Sequence, residues 1–305
     1  MTESLSAGDF SDYLSKLTGP IPYPLTNDYM FHMVFQNAQD VLKGLLATLL
    51  EIPPEEIVTL DLLNPIVPGE TVDEKTIVLD LCMELNSRKV IDIEMQVANK
   101  GDWVNRSVFY ACRNVAASSL DKGDNYTELK TAVHIGILDF NPPDIAARGA
   151  LYTQYRLMDL RTFHVYSDKL SLNVLNLSYL DKVPEAERQT DLYKWASLFH
   201  AKTWEDLKSL AKGVNGMDNF IFTMAKLSED DKIRMACRAR EDYERDLSTQ
   251  YSSGYNEGKE EMKEQLEEKE KAIEEKDRII AEKEKQIQQL TAALAAEGKN
   301  DHSDI

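Results

Sequence analysis

The sequence lacks an apolar run of roughly 18–20 residues, the length that a membrane-spanning helix needs. Its first segment, MTESLSAGDFSDYLSKLTG, also lacks the apolar stretch of a secretory signal. Cysteine is scarce, and Cys82, Cys112 and Cys237 lie far apart in apolar contexts, which argues against a disulfide framework or a zinc site. These absences predict a cytoplasmic protein with reduced thiols and no membrane contact.

Histidine is scarce as well. The 5 histidines are dispersed, and none has metal-ligand spacing with another. The sequence contains no P-loop, no GxGxxG and no GxSxG motif. A P-loop, a dinucleotide-binding fingerprint and a serine nucleophile elbow are therefore excluded as the source of its chemistry.

Acidic residues are in excess, and the net charge is −18 at pH 7. A protein that coats nucleic acid through bulk electrostatics has the opposite charge, so that class is disfavoured. The charge is uneven, because residues 241–305 hold 19 acidic and 10 basic residues and so carry half of the net charge. The body of the chain needs a positive patch or a bound cation if it is to contact DNA locally.

Apolar periodicity predicts an α/β protein with a mixed sheet. Helical spacing in LTNDYMFHMVFQNAQDVLKGLLATLLEI is followed by strand patterns at 57–63, 76–85 and 90–97, then by a helix after Gly101 and a buried strand at 129–140. Residues 151–180 indicate further β structure, with TFHVY as one strand, SDK as a turn and LSLNVLNL as the next strand.

Four segments are expected along the chain. They are a polar, loosely attached N-terminal arm at 1–22, a core with a β extension at 23–182, a helical region at 183–247 and a charged helical tail at 248–305. The boundaries follow changes in composition and periodicity.

The tail carries apolar residues at every seventh position, namely Leu266, Ile273, Ile280, Ile287 and Leu294. We call these five residues the heptad seam. The complementary positions 269, 276 and 283 are all lysine, so the seam is half filled. Both a coiled-coil homodimer or higher oligomer and a single charged helix remain open.

Residues 78–97, VLDLCMELNSRKVIDIEMQV, predict a β-hairpin in which each strand has one apolar and one acidic face. The apolar faces coincide only if odd-numbered residues pair with odd-numbered ones, which requires a loop with an odd number of residues, such as Asn86-Ser87-Arg88. This register places Asp80 opposite Glu94.

Carboxylates placed directly opposite each other repel unless a shared proton, a basic side chain or a divalent cation compensates. Converging oxygen ligands suit Mg²⁺ or Mn²⁺. The alternative is that the acidic face is simply the side of the sheet that faces solvent. We expect Glu84 and Asp92 to be solvent-facing residues of this kind. For Asp28, at the start of the first core helix, an N-cap role is favoured over a place in the site.

Asp80, then thirteen residues, then Glu94-Met95-Gln96 resembles the D…(D/E)xK motif of PD-(D/E)XK nucleases, with Gln at the Lys position. The resemblance extends to TNDYMFHMVF, RSVFY, LSEDDKIRM and YSSGYNEGKEE, so about residues 23–260 are similar to the Rpn recombination-promoting nucleases, also called PD-(D/E)XK nuclease family transposases. It implies a restriction-endonuclease-like αβββαβ core and metal-dependent hydrolysis of DNA.

The resemblance also implies roles for individual residues. Asp80 and Glu94 hold Mg²⁺ or Mn²⁺, and the main-chain carbonyl of Met95 is a further ligand. Gln96 lies where the lysine orients the attacking water, but it supplies no positive charge, so the second cation stays unexplained.

Arg106 and Tyr110 are one helical turn apart, directly after the hairpin. In a nuclease, Arg106 clamps a phosphate of the DNA and Tyr110 stacks or hydrogen-bonds nearby. The alternative is a surface arginine and a packing tyrosine.

The favoured function is a metal-dependent DNA endonuclease with a tail that dimerises. The alternative is an inactive nuclease fold that scaffolds partners, which the net charge and Gln96 favour and the opposed Asp80 and Glu94 disfavour. A metal hydrolase acting on another phosphoester also remains open.

Overall fold

We describe residues 7–64, 66–67, 77–78, 80–117, 120, 123–142, 149–212 and 216–300 of a computed structural model of the chain. The helices are α1 (Ala7–Lys16), α2 (Asp28–Asn37), α3 (Gln39–Leu50), α4 (Trp103–Ala117), α5 (Asp191–His200), α6 (Trp204–Ala211), α7 (Met217–Glu229) and α8 (Asp231–Asn300). The strands are β1 (Leu60–Leu62), β2 (Ile66–Val67), β3 (Ile77–Val78), β4 (Leu81–Leu85), β5 (Lys89–Gln96), β6 (Thr131–Leu138), β7 (Tyr152–Met158) and β8 (Val165–Asn176).

Within these ranges, six strands form one sheet in the order β1–β4–β5–β6–β8–β7. The central pairs β5–β6 and β6–β8 are parallel, and the outer pairs are antiparallel. Strands β5 and β6 are buried along nearly their whole length, as expected for strands covered on both faces. Trp103 of α4 packs on one face, and α2 and α3 lie in the main core on the other. The predicted α/β class with a mixed sheet is confirmed.

The hairpin of β4 and β5 has the predicted register. Its loop is residues 86–88, and Cys82 lies opposite Asp92. The first strand is shorter than predicted, because β4 begins at Leu81, while Ile77–Val78 pairs with Ile66–Val67 in a separate two-stranded sheet. Residues 76 and 79 of the predicted strand lie outside the described residues.

The prediction of a turn at Ser167-Asp168-Lys169 is wrong. Strand β8 runs through these residues, and the chain reverses at 159–164 instead. There Asp159 accepts hydrogen bonds from the main-chain N–H groups of Arg161 and Thr162. The pairing of β7 with β8 is irregular beside Ser167, which explains why a polar, turn-like segment is tolerated inside a strand.

The prediction of a loosely attached N-terminal arm is wrong for the residues that the structure describes. Helix α1 packs on α7, with the Phe10 and Tyr13 rings 5.0 and 5.1 Å from the ring of Phe222. Leu14 and Ile21 are buried. Phe10, Tyr13 and Leu14 share one face at helical spacing, an amphipathic pattern that the abundance of serine conceals.

The chain divides into two compact units, residues 1–245 and 246–305. In the second unit, α8 leaves four residues of the heptad seam exposed: Leu266 (54%), Ile273 (58%), Ile280 (53%) and Ile287 (62%). The fifth, Leu294, has a side chain outside the described part of the chain. None of the helices described here has both the length and the apolar character of a membrane span.

Candidate active site

A cleft of about 100 Å³ lies where β4, β5, α2, α4 and α8 meet. Asp80 directly precedes β4, and Glu94, Met95 and Gln96 are the last residues of β5. All four line the cleft together with Arg106 from the first turn of α4. The structure thus brings together five of the six site residues that the sequence suggests, and Tyr110 is the sixth.

Asp80 is anchored through its side chain and its main chain. Its Oδ2 accepts a 2.7 Å hydrogen bond from the N–H of Met95. His32 on α2 donates from Nδ1 to the main-chain carbonyl of Asp80. Burial, and then the charge of Glu94, raises the pKa of Asp80 well above its usual range.

Glu94 directly follows Ile93, the last residue of β5 that pairs with β4, and its own Cα partner is Gly136 on β6, so the predicted Asp80–Glu94 pair is not part of the ladder. The side chain of Glu94 is buried, with Oε1 3.1 Å from Nη2 of Arg106. The other oxygen, Oε2, is buried and has no hydrogen-bond partner among the described residues. Burial raises the pKa of Glu94, and the nearby positive charge of Arg106 offsets only part of this increase. The cleft therefore holds two carboxyl groups with raised pKa values, those of Asp80 and Glu94.

Arg106 lies close to two aromatic rings of its own helix. Its guanidinium carbon lies 5.7 Å from the ring centroid of Trp103 and 5.9 Å from that of Tyr110. Gly136 on β6 makes room for Trp103, because a Cβ atom there would lie 2.0 Å from the indole ring. The Nη2 atom of Arg106 is engaged in the ion pair with Glu94, whereas the buried Nε has no hydrogen-bond partner within the described structure. The N–H group of Nε remains available to an anionic ligand.

Tyr110 is 8% exposed and packs with Cys82 and Val90 on the face of the sheet that α4 covers. It does not line the cleft. Burial, followed by the charge of Glu94, raises the pKa of its hydroxyl. Tyr110 packs in this cluster and contacts the guanidinium of Arg106.

The prediction that Asp92 faces solvent is wrong. Its carboxylate is fully buried and accepts hydrogen bonds from Nδ1 of His134 and Nδ2 of Asn114. Helix α4 covers this face of the sheet, and a buried carboxylate requires such partners. Burial lowers the pKa of His134, but the charge of Asp92 and the hydrogen bond with it outweigh this, and the pKa of His134 is raised overall.

Glu84, on the same face of the hairpin, has a different environment. It is partly exposed near the other end of β4 and forms an ion pair of 2.6 Å with Lys130. It does not line the cleft. This position agrees with the prediction that Glu84 lies on the solvent-accessible side of the sheet.

The favoured N-cap role of Asp28 is also wrong. Asn27 caps α2, since its side chain accepts a hydrogen bond from the N–H of Met30. Asp28 lines the cleft instead, and its Oδ2 accepts a hydrogen bond from Nε of Arg240 on α8. Sequence reasoning missed Arg240, because nothing in the sequence places a residue of the C-terminal helix beside the first core helix.

A family model for PD-(D/E)XK nuclease family transposases matches residues 25–254. The chain belongs to this family. The match contains every residue named above as lining the cleft. No curated protein and no solved structure matches the chain. Family membership supports a nuclease-type function, and PD-(D/E)XK nucleases typically use divalent metal ions.

Gln96 is the last residue of β5, at the position that the resemblance assigns to the lysine of the motif. Gln96 is 7% exposed, and its Oε1 is buried without a hydrogen-bond partner in the described structure. Because glutamine is neutral, the positive charge of the cleft comes from other elements, namely Lys100, Arg106 and Arg240.

The donor groups of the cleft fit a divalent cation. Three buried oxygens without a described partner belong to residues that line it, and they are Asp28 Oδ1, Glu94 Oε2 and Gln96 Oε1. Carboxylate and amide oxygens are the ligands that Mg²⁺ and Mn²⁺ prefer. Within the described residues, no three His, Cys, Asp or Glu side chains converge closely enough to hold a metal.

Proposed function

We propose that the chain is a metal-dependent DNA endonuclease that uses Mg²⁺ or Mn²⁺. The proposal is carried by one observation: the carboxyl groups of the half-buried Asp80 and the buried Glu94 line one nuclease-family cleft, and the pKa of each is raised. Loss of contact with water disfavours two such charges, and a divalent cation compensates for both.

Asp80 and Glu94 would hold the cation, with the main-chain carbonyl of Met95 as a further ligand. A bound divalent cation neutralises charge on the phosphate and lowers the pKa of a water molecule. The reaction is hydrolysis: water adds to phosphorus while the bond from phosphorus to the leaving sugar oxygen breaks.

The other residues of the cleft would orient the reactants. Gln96 has a buried Oε1 without a described partner, which can accept a hydrogen bond from the attacking water. Arg106 lies near two aromatic rings and pairs with Glu94, and its Nε, which has no described partner, can donate to a phosphate oxygen. Tyr110 supports this arginine from the side.

We also propose that the tail forms a homodimer or higher oligomer. Four described residues of the heptad seam are more than half exposed on α8, and a seven-residue apolar period is the pattern of a coiled coil. Two copies carry two active sites, which suits cleavage of both DNA strands.

Cleavage of supercoiled plasmid by the purified protein tests the nuclease function, with Mg²⁺, Mn²⁺, Ca²⁺ or EDTA. A closed circle has no ends, so nicking or linearisation identifies an endonuclease. We expect cleavage with Mg²⁺ or Mn²⁺ that is lost in Asp80→Asn and in Glu94→Gln. Activity that survives both substitutions would place the chemistry elsewhere.

No cleavage with any metal, together with no metal binding by calorimetry, would favour the non-catalytic scaffold. Gln96 and the net charge of −18 are the features that fit that alternative.

A further inference from the structure

Arg240 reaches the cleft from α8, a helix outside the sheet-and-helix core of the motif. Its Nε donates to Oδ2 of Asp28, and its Nη2 lies 3.6 Å from Oε1 of Glu244. The guanidinium carries five N–H donors, so these two contacts do not use them all. Its side chain is 40% exposed, compared with 15% for Arg106, which makes it the more accessible of the two arginines.

Arg240 lines the same cleft as Asp80, Glu94 and Gln96. Its guanidinium is therefore a positive charge among the acidic residues of the site.

The cleft needs such a cation. Gln96 is neutral, and the guanidinium of Arg106 already lies 3.1 Å from Glu94. Lys100 and Arg240 both lie near Glu244, and Arg240 also contacts Asp28 of the first core helix. A guanidinium binds two phosphate oxygens through a planar fork and keeps its charge at any physiological pH.

We infer that Arg240 contacts the non-bridging oxygens of the scissile phosphate and supplies the positive charge that Gln96 cannot. The inference rests on the proposed nuclease function and names the residue that recognises the phosphate. In the resting protein, the ion pair with Asp28 holds the guanidinium in position.

The rival role for Arg240 is purely structural, as an ion pair that fastens α8 to α2. The two roles predict different results for Asp28→Asn. If Arg240 only fastens the helices, removing either partner has the same effect. If Arg240 binds phosphate, Asp28→Asn releases it and removes a nearby negative charge, so DNA binding strengthens or stays unchanged.

The first measurement is metal-free binding of a fluorescein-labelled DNA duplex, by anisotropy in EDTA at several salt concentrations. We expect Arg240→Gln to weaken binding about tenfold or more, as for a lost charged hydrogen bond. The slope of log affinity against log salt should also decrease by about 0.9, the value for one phosphate contact. Arg238→Gln is the matched control, because Arg238 is exposed on the same helix and does not line the cleft.

An unchanged salt slope in Arg240→Gln would overturn the inference. So would equal weakening in Arg240→Gln and Asp28→Asn. Urea unfolding of each variant checks folding, and Arg240→Lys, which keeps the charge, should bind DNA with an affinity between those of wild type and Arg240→Gln.

The second measurement is single-turnover plasmid cleavage with Mg²⁺. We expect Arg240→Ala to lower the rate about 10²–10³-fold, as for other lost transition-state donors, and added guanidinium chloride to restore part of it. A structural ion pair predicts no such rescue. If wild type cuts and Arg240→Ala cuts equally fast, the inference fails and the nuclease function stands. If wild type cuts nothing with any metal, the proposed function itself fails.

Discussion

His134 and Asp92 form a fully buried hydrogen-bonded pair across the parallel strands β5 and β6. Asp92 lies two residues before Glu94 on the same strand, so this pair anchors the strand that carries the candidate metal ligand. The third member, Asn114, ties the pair to α4, which carries Arg106.

Breaking this pair should destabilise the protein strongly. His134→Leu leaves the Asp92 carboxylate buried with one partner fewer, and we expect a loss of about 3–5 kcal/mol in the free energy of unfolding. Adding Asp92→Asn should recover part of the loss, because no charge remains buried. Urea denaturation measures both, and additive losses in the double variant would contradict the account.

The same pair predicts a pH dependence of stability. The pKa of His134 is raised above 6.5 in the folded protein by Asp92 and Glu94, against burial and the charge of Arg106. The unfolded chain releases this proton first as the pH rises, so the stabilisation is fully present below pH 6.5 and is lost as the pH passes the folded-state value. Urea denaturation between pH 6 and 9 should therefore give a decline in wild type that His134→Leu lacks. A decline of the same size in both proteins would assign it to other groups.

Gly136→Ala should disturb the site through Trp103. A Cβ at position 136 would lie 2.0 Å from the indole ring, so the ring must move, and it supports Arg106. We expect a loss of about 1–3 kcal/mol in stability, the usual cost of overpacking, and slower plasmid cleavage. Gly254→Ala is the control, because its Cβ has nothing within 4 Å and it lies in helix α8. It should be neutral or stabilising, and equal effects of the two substitutions would refute this role of Gly136.

The hairpin is the part of the fold that the sequence predicts best. Alternation of apolar and acidic residues has only one register that buries both apolar faces, and Cys82 does lie opposite Asp92. The same alternation misleads at Asp92 itself. Alternation of residue types shows which side chains share a face of a strand, but it does not show what packs on that face. Here α4 packs on the acidic face and buries it.

Long-range partners explain the other misses. His134 lies opposite Asp92 because β5 and β6 pair in parallel. No tight turn joins these two strands, so the local sequence does not fix their register. Arg240 meets Asp28 across 212 residues of sequence. Such contacts depend on how helices dock, and a single sequence carries no local pattern for them.

The tail prediction is tested with one pair of substitutions. Ile280→Asn removes an apolar residue from the heptad seam, whereas Ile279→Asn changes its exposed neighbour outside the seam. We expect light scattering to give a dimer or larger species for wild type and Ile279→Asn, and a smaller species for Ile280→Asn. A monomeric wild type, or equal behaviour of the two variants, would contradict the proposed oligomer.

The most direct test of the proposed active site compares two acids of the same hairpin. Glu94→Gln and Glu84→Gln remove one charge each, but only Glu94 lines the cleft, while Glu84 pairs with Lys130. The measurement is the rate of Mg²⁺-dependent plasmid nicking. We expect the nicking rate to fall about 10²-fold or more in Glu94→Gln, as for other lost electrostatic groups, and to stay near the wild-type rate in Glu84→Gln. Nicking by Glu94→Gln at the wild-type rate would contradict the proposed active site.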